Sequence, residues 1–243
     1  MGGFDGWLDG FRRKAAREGI SAHVLALTLD GLAPDPEVVA RDRNQPERRL
    51  TTAEYLERVV SKSRIAAGRA ALAARGDQLA AIAARYGVAG PVLVAIWGLE
   101  SNYGAIRGDF PVIRSLATLA HDGRRRALFE SELLAGLRII QAGDAAPEDM
   151  RGSWAGAMGH TQFMATSFLE HAVDFDGDGR RDIWGDDPTD ALASSAAYLA
   201  AHGWQADGDR VSEGAGNFEV LMSYNASRNY CLAVGLLAEA IAG

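Results

Sequence analysis

Apolar positions recur every three or four residues along most of this chain, the spacing of helices that bury one face. Phe4, Trp7, Leu8 and Phe11 make such a stripe at the start. In "TTAEYLERVV", Thr51 and Glu54 stand three apart as in a capping box, and alanine-rich helix is expected to follow to about Ala74. A helix over Asp77 to Tyr86 should stop at Gly87, and the next should open at Pro91 and stop at Gly104. Arg125 to Ala142 reads as amphipathic helix, with Leu128, Glu132 and Leu133 among its members. Asp190 is placed to cap "ALASSAAYLAAHG", and Asn225 or Ser227 precedes a last helix. Three stretches break the pattern. "GLAPDPEVVARDRNQPER", with three prolines, reads as an extended or irregular connection. Residues 150 to 190 are glycine- and aspartate-rich, and 205 to 223 are polar with room for one short strand. No internal repeat or low-complexity tract is visible, so a mainly α architecture is expected.

The 243 residues suffice for one large domain or two small ones with a substantial core. A net charge of −7 leaves no basic excess to neutralise phosphates, which argues against a nucleic-acid partner and against an anionic membrane surface. The single cysteine, Cys231, excludes an internal disulfide and reads as a small buried hydrophobe in "YCLAVGLLAEAIA". No apolar run reaches 18 residues, so no transmembrane segment is expected. "MGGFDGWLDGFRRKA" has acidic residues and no apolar core, so no signal peptide or lipoprotein signal is visible. That leaves an intracellular protein or one whose targeting segment is missing from this chain.

"PVLVAIWGLESNYG" raises the chemical question, because an otherwise apolar run ends on a carboxylate, Glu100. Apolar neighbours and the negative end of a helix dipole both disfavour its ionised form and should raise its pKa. A carboxylic acid held protonated near neutral pH is what general-acid cleavage of a glycosidic bond needs. The alternative is a Glu100 solvated at the helix end or paired with Arg107. Asp109, the next acid downstream, is expected to be structural or solvated. The five histidines, 23, 121, 160, 171 and 202, have no metal-binding spacing, and no serine-hydrolase elbow is present.

"GLESNYG" resembles the Glu-Ser-x-x-Gly signature of lytic transglycosylases and goose-type lysozymes. It is joined by "GIS", "RNQPE" and "YLERVVSKSRIAAGRAAL" upstream, and downstream by "GSWAGAMGHTQFM", "DFDGDGRRDIW", "YLAAHGW" and "YNASRNY". In this order the motifs resemble the membrane-bound lytic murein transglycosylase B family from about Trp7 to Ile241. The resemblance implies a goose-type lysozyme-like helical core over 76–243, with an additional N-terminal helical region over 1–75. It implies that Glu100 is the single acid/base, cleaving the β-1,4 bond between N-acetylmuramic acid and N-acetylglucosamine in peptidoglycan glycan strands. The muramoyl C6 hydroxyl then closes onto C1, giving a 1,6-anhydro product without consuming water, and no catalytic cofactor is needed.

By the same resemblance Ser153 and Gln162 line the site, with the Ser153 hydroxyl on the catalytic carboxyl. Tyr224 and Asn225 enter the cleft; their alternative is a helix cap beside a packed tyrosine. An arginine pair at the cleft edge falls on Arg124 and Arg125, with a register open by one, or belongs to a solvated face. The family's small β domain lies between the motifs at Trp204 and Tyr224, where this chain has only about 20 residues, so its absence is expected. A monomer at the periplasmic face of the bacterial envelope is implied.

Asp174, Asp176, Asp178, Gly179 and Asp182 match positions 1, 3, 5, 6 and 9 of an EF-hand loop, with Arg180 offering its carbonyl. Position 12 departs, because Gly185 stands where a bidentate Glu belongs; Asp186 or Asp187 could reach in from the segment that runs to 187. Structural Ca2+ is the expectation, and a loop neutralised by arginine the alternative. Two rival functions share these residues: a lysozyme-type hydrolase using the same Glu, and a peptidoglycan-binding module whose catalysis has decayed.

Overall fold

The computed structural model describes residues 3–44, 50–206 and 211–243. These are mainly helical, and their only sheet has two strands. The "RNQPE" motif lies largely outside the described residues, at 45–49. The chain forms two compact units, each assembled from discontinuous segments, so neither follows a linear division at residue 75.

The first unit takes residues 1–46, 107–170 and 177–185. Its helices are α1 (Phe4–Arg17), α2 (Ala22–Leu29) and α3 (Pro36–Arg43), later followed by others named below. The stripe read from the sequence is the buried face of α1, with Phe4, Leu8, Phe11 and Ala15 inside. Helix α3 corrects the expected irregular connection. Asp35 accepts the Glu37 amide at 3.0 Å and Pro36 sits in the first turn, so a proline supports the helix here.

The unit's other helices are α8 (Val112–Asp122), α9 (Arg126–Ala142) and α10 (Ala165–His171). Strands β1 (Phe110–Pro111) and β2 (Arg151–Gly152) pair antiparallel, with Phe110 opposite Gly152. In α9, Leu133 is buried as expected while Leu128 is exposed. Glu132 is 4% exposed, and its carboxylate takes the Thr166 amide at 3.0 Å and hydroxyl at 2.7 Å, which starts α10 inside the segment expected to be irregular.

The second unit takes residues 47–106, 171–176 and 186–243. It contains α4 (Thr52–Val59), α5 (Lys62–Ala74), α6 (Gly76–Tyr86), α7 (Gly90–Ser101), α11 (Thr189–Ala201), α12 (Gly216–Tyr224) and α13 (Arg228–Ala242). The Thr51–Glu54 capping box is formed. The single helix expected to run from there to Ala74 is instead α4 and α5, because Ser61 breaks off to accept the Arg64 amide at 3.3 Å and start a second helix. Helix α6 ends at Gly87 in the left-handed conformation, as expected.

Helix α7 is the core of this unit. Leu93, Val94, Ala95 and Ile96 have no exposed surface, and each buried branched side chain contributes about 2 kcal/mol. Helices α5, α11 and α13 pack around it, with Leu192, Leu199, Val234 and Leu237 fully or nearly fully enclosed. Buried Cys231 on α13 belongs to this core. Between Trp204 and Tyr224 the described residues contain α12 and no strand, where at most a short strand was expected.

Candidate active site around Glu100

Helix α7 runs one turn short of the expected Gly104. It is stopped by Asn102 with φ 50°, and Tyr103 follows with φ 58°. Two successive non-glycine residues in the left-handed region are strained unless their surroundings hold them. Tyr103 is held tightly: its hydroxyl donates to Arg64 O at 2.7 Å and its ring meets Trp97 edge-on at 5.7 Å. Gly98 lies under that ring, and a Cβ there would fall 2.6 Å from the Tyr103 ring. Gly98→Ala should therefore destabilise the protein by about 1–3 kcal/mol despite the helix propensity of alanine. A lower denaturant midpoint with unchanged slope would report it.

This turn leaves Glu100 enclosed by protein while part of its surface still meets solvent. Burial raises its pKa to about 7, and the opposing influence of the neighbouring Tyr230 side chain is smaller. Tyr230 is itself deeply buried, and its hydroxyl has no hydrogen bond of ordinary geometry. Its pKa stands well above the usual tyrosine value, first because of burial and then because of the Glu100 and Tyr224 charges. Tyr55 on α4 is pushed up by burial and again by Glu100. The carboxyl is thus ringed by neutral phenols and apolar helix. No cation enters among the causes of its shift, so the expected alternative of an Arg107 partner has no support.

Arg107 belongs to the other unit, where it donates to the Trp184 carbonyl at 2.6 Å and to that of Gly185. Buried His160 joins the same cluster through Gly185 O at 2.7 Å. Gln162, with φ 54°, donates through Nε2 to Arg107 O at 3.1 Å and Gly159 O at 2.9 Å. Ser153 forms a tight turn with Ala157, its amide donating to Ala157 O at 2.7 Å and its hydroxyl accepting the Ala157 amide at 3.0 Å. Glycines make this loop possible: a Cβ on Gly152 would sit 2.1 Å from Ala157 O. Met158 and Phe163 are buried beneath it.

Arg124 and Arg125 converge on one carboxylate, Asp42 of α3, at 3.0 and 2.8 Å. Asp42 is 5% exposed at its side chain while both arginines are half exposed, so it holds one terminal nitrogen of each and leaves the rest of both side chains partly in solvent. Tyr224 shares a hydrogen bond with Ser195 at 3.2 Å and packs edge-on against Tyr198 at 5.2 Å. Ser227 is the cap of α13, and Asn225 accepts the Ser227 amide at 3.1 Å just before it.

Asp174, Asp176 and Asp190 place one carboxylate oxygen each within 4.8 Å of one another, all in the second unit. Asp190 does not cap its own helix. It is 3% exposed and accepts the amides of Phe175 at 2.8 Å and Asp176 at 3.3 Å. Asp187 holds the helix start instead, taking the Thr189 amide at 3.0 Å and hydroxyl at 2.6 Å. Asp178, Arg180 and Asp182 lie in the part of the loop assigned to the first unit. Asp178 accepts the Arg180 amide at 2.8 Å, and Asp182 accepts those of Trp184 and Gly185 at 2.8 and 2.9 Å. Gly179 makes the expected sharp turn at φ 92°.

Sequence reasoning missed Tyr55, Tyr230 and Asp190. Tyr230 closes the quoted "YNASRNY", and its place one turn into α13 was the available signal.

The curated membrane-bound lytic murein transglycosylase B of Escherichia coli is 42% identical over 128 residues, which cover 52% of this chain and 35% of that protein. The chain therefore matches about a third of that relative's length. The crystal structure of SltB3 from Pseudomonas aeruginosa in complex with NAG-anhNAM-pentapeptide is similar, with a TM-score of 0.93 and 39% identity over 99% of this chain and 80% of that one. The Escherichia coli lytic transglycosylase Slt35 in complex with calcium has a TM-score of 0.85 and 26% identity, covering 97% of this chain and 92% of that one. The transglycosylase SLT domain family matches residues 3–215, and the chain belongs to that family.

Proposed function

We propose that this chain is a lytic transglycosylase that cleaves peptidoglycan strands between N-acetylmuramic acid and N-acetylglucosamine and leaves a 1,6-anhydromuramoyl end. The observation that carries this is Glu100, a reachable carboxyl whose pKa of about 7 keeps it protonated up to neutrality. An acid in that state donates its proton to the glycosidic oxygen as the bond to C1 breaks. Now ionised, the same carboxylate accepts the proton of the muramoyl C6 hydroxyl while that oxygen bonds to C1. One carboxyl serves both steps, because the second proton returns it to its starting state. The anhydro sugar named with SltB3 is the product this sequence of steps would give.

By the resemblance of their motifs, Ser153 and Gln162 are assigned to substrate binding, and so are Tyr224 and Asn225. The half-exposed side chains of Arg124 and Arg125 are assigned to acidic groups of the substrate. The place of action is the bacterial envelope, where the substrate is. Asp174 and Asp176, joined by Asp190 from beyond the EF-hand pattern, fit calcium, a hard cation that takes several oxygen ligands. It would hold the loop and has no step in the reaction. Slt35, in the same family of folds, is named in complex with calcium.

Mass spectrometry of fragments from purified peptidoglycan tests the reaction. Muramoyl ends lighter by one water than the hydrolysed form are expected. Fragments at the hydrolysed mass would make the protein a lysozyme-type hydrolase, and no fragments would leave a binding module.

A further inference from the structure

The unit that contains Glu100 has a cavity of about 290 Å³ lined by Arg58, Ser61, Ser63, Arg64, Ala67 and Asn102. Among the described residues its polar lining groups can all donate hydrogen bonds, and none is acidic. Arg58 follows Glu54 by one helical turn on α4, the spacing at which the two would pair. Glu54 instead turns its Oε2 to the Thr51 amide and hydroxyl, both at 2.8 Å. Among the described residues Arg58 has no hydrogen bond or ion pair.

Arg64 anchors one terminal nitrogen on Val59 O at 2.6 Å, while its Nε is shut off from solvent and unpartnered among the described residues. A buried donor on a charged group is costly to leave unmatched. The Ser61 and Ser63 hydroxyls meet at 3.0 Å over the start of α5, whose first turn has no acidic residue to offset the positive end of its dipole. Two guanidinium groups, one of them carrying the orphan nitrogen, and a helix N-terminus at one cavity describe a site for an oxyanion.

We infer that this cavity binds a carboxylate of the peptide attached to the glycan substrate. The inference rests on the function proposed above and names the part of the substrate that the cavity would hold. Its position favours the substrate over a free anion. Asn102, in the cavity wall, is two residues beyond Glu100, and Tyr103 donates to Arg64 O at 2.7 Å. The acid-bearing helix end and the anion-binding wall are therefore tied by one hydrogen bond. A sugar seated at Glu100 with its peptide turned toward α5 would present a carboxylate to Arg58 and Arg64.

Calorimetric binding of a peptide-bearing disaccharide and of the same disaccharide without peptide tests this independently of turnover. Arg58→Glu should weaken binding of the peptide-bearing form about tenfold more than that of the bare form, and Arg58→Lys should recover most of the difference. In turnover, the ratio of kcat/KM for peptide-bearing over stripped strands should fall by the same factor, mainly through KM. Equal weakening for both ligands overturns the inference. So would inorganic phosphate that raises the melting temperature of the wild type but not of Arg58→Glu while the ligand ratio stays constant, because the oxyanion would then be free phosphate. Normal ligand binding with no anhydro product from the wild type would instead refute the proposed function and leave the binding ratio to decide the cavity.

Discussion

Replacing Glu100 by glutamine should stop bond cleavage and make the protein more stable in alkali, and the two effects have one origin. Glutamine has the shape of the acid and no proton to give, so loss of general-acid catalysis should lower the rate of anhydro-product formation by about 10²–10⁴-fold. For stability the sign follows from the pKa. The folded value of about 7 lies above the ordinary 4.5, so the protonated form is favoured by folding. Its contribution is complete below about 4.5, fades as pH rises toward 7, and is lost above that, where a buried carboxylate must ionise.

The difference between those pKa values corresponds to about 3 kcal/mol. Partial solvent access reduces this to roughly 1–3 kcal/mol, or about 2–10 °C for a chain of this size. Glu100→Gln should therefore melt higher than the wild type at pH 9 and at nearly the same temperature at pH 5. The wild-type rate should also decline as pH passes about 7, since the proton donor is then lost. A variant that still clears peptidoglycan suspensions, or melting curves that run parallel at every pH, would show that the carboxyl has no such environment.

The acid was legible because its signal is local. A run of seven buried residues, Val92 to Gly98, just before it and a helix end after it both fall within "PVLVAIWGLES". The phenols around it were not, because Tyr55 and Tyr230 come from α4 and α13 and are brought to Glu100 by the packing of α13 against both α7 and α4. Helix α3 was hidden by reading its prolines as breakers, although an acidic cap followed directly by Pro36 is a helix start. The break between α4 and α5 shows the converse. No glycine or proline marks it, and a serine cap alone divides an alanine-rich run that propensity would leave whole.

The aspartate loop was half legible. Its early carboxylates follow a known spacing, but the vacancy at Gly185 pointed to Asp186 or Asp187 as substitutes. The chain uses Asp187 to start α11 and swings the next helical turn inward, so Asp190 faces the loop. A pattern counted along the chain cannot register a residue delivered by the first turn of a helix. Arg124 and Arg125 make a related point: the carboxylate that fixes both comes from α3, the segment that was expected to be irregular.

Asp190→Ala should be the most damaging change in that loop, and Asp190→Asn should separate its two roles. The buried carboxylate accepts two backbone amides, from Phe175 and Asp176, and alanine would leave both unmatched in a partly buried turn. Each stranded amide costs about 1–3 kcal/mol. Removing one of three clustered negative charges relieves some repulsion, but screened pairs near the surface contribute only about 0–1 kcal/mol. Lost hydrogen bonds therefore win, and Asp190→Ala should lose about 2–5 kcal/mol, seen as a fall in denaturant midpoint without calcium. Asparagine keeps an oxygen for the amides and gives up the charge, so Asp190→Asn should retain most of that stability. With calcium added, the wild type should melt higher than in chelator, while both variants should gain little because the cation loses its buried carboxylate. A wild type whose melting temperature ignores calcium and chelator alike would show that Asp174, Asp176 and Asp190 are held together by the fold alone. An Asp190→Asn variant that gains as much as the wild type would place the cation on other oxygens.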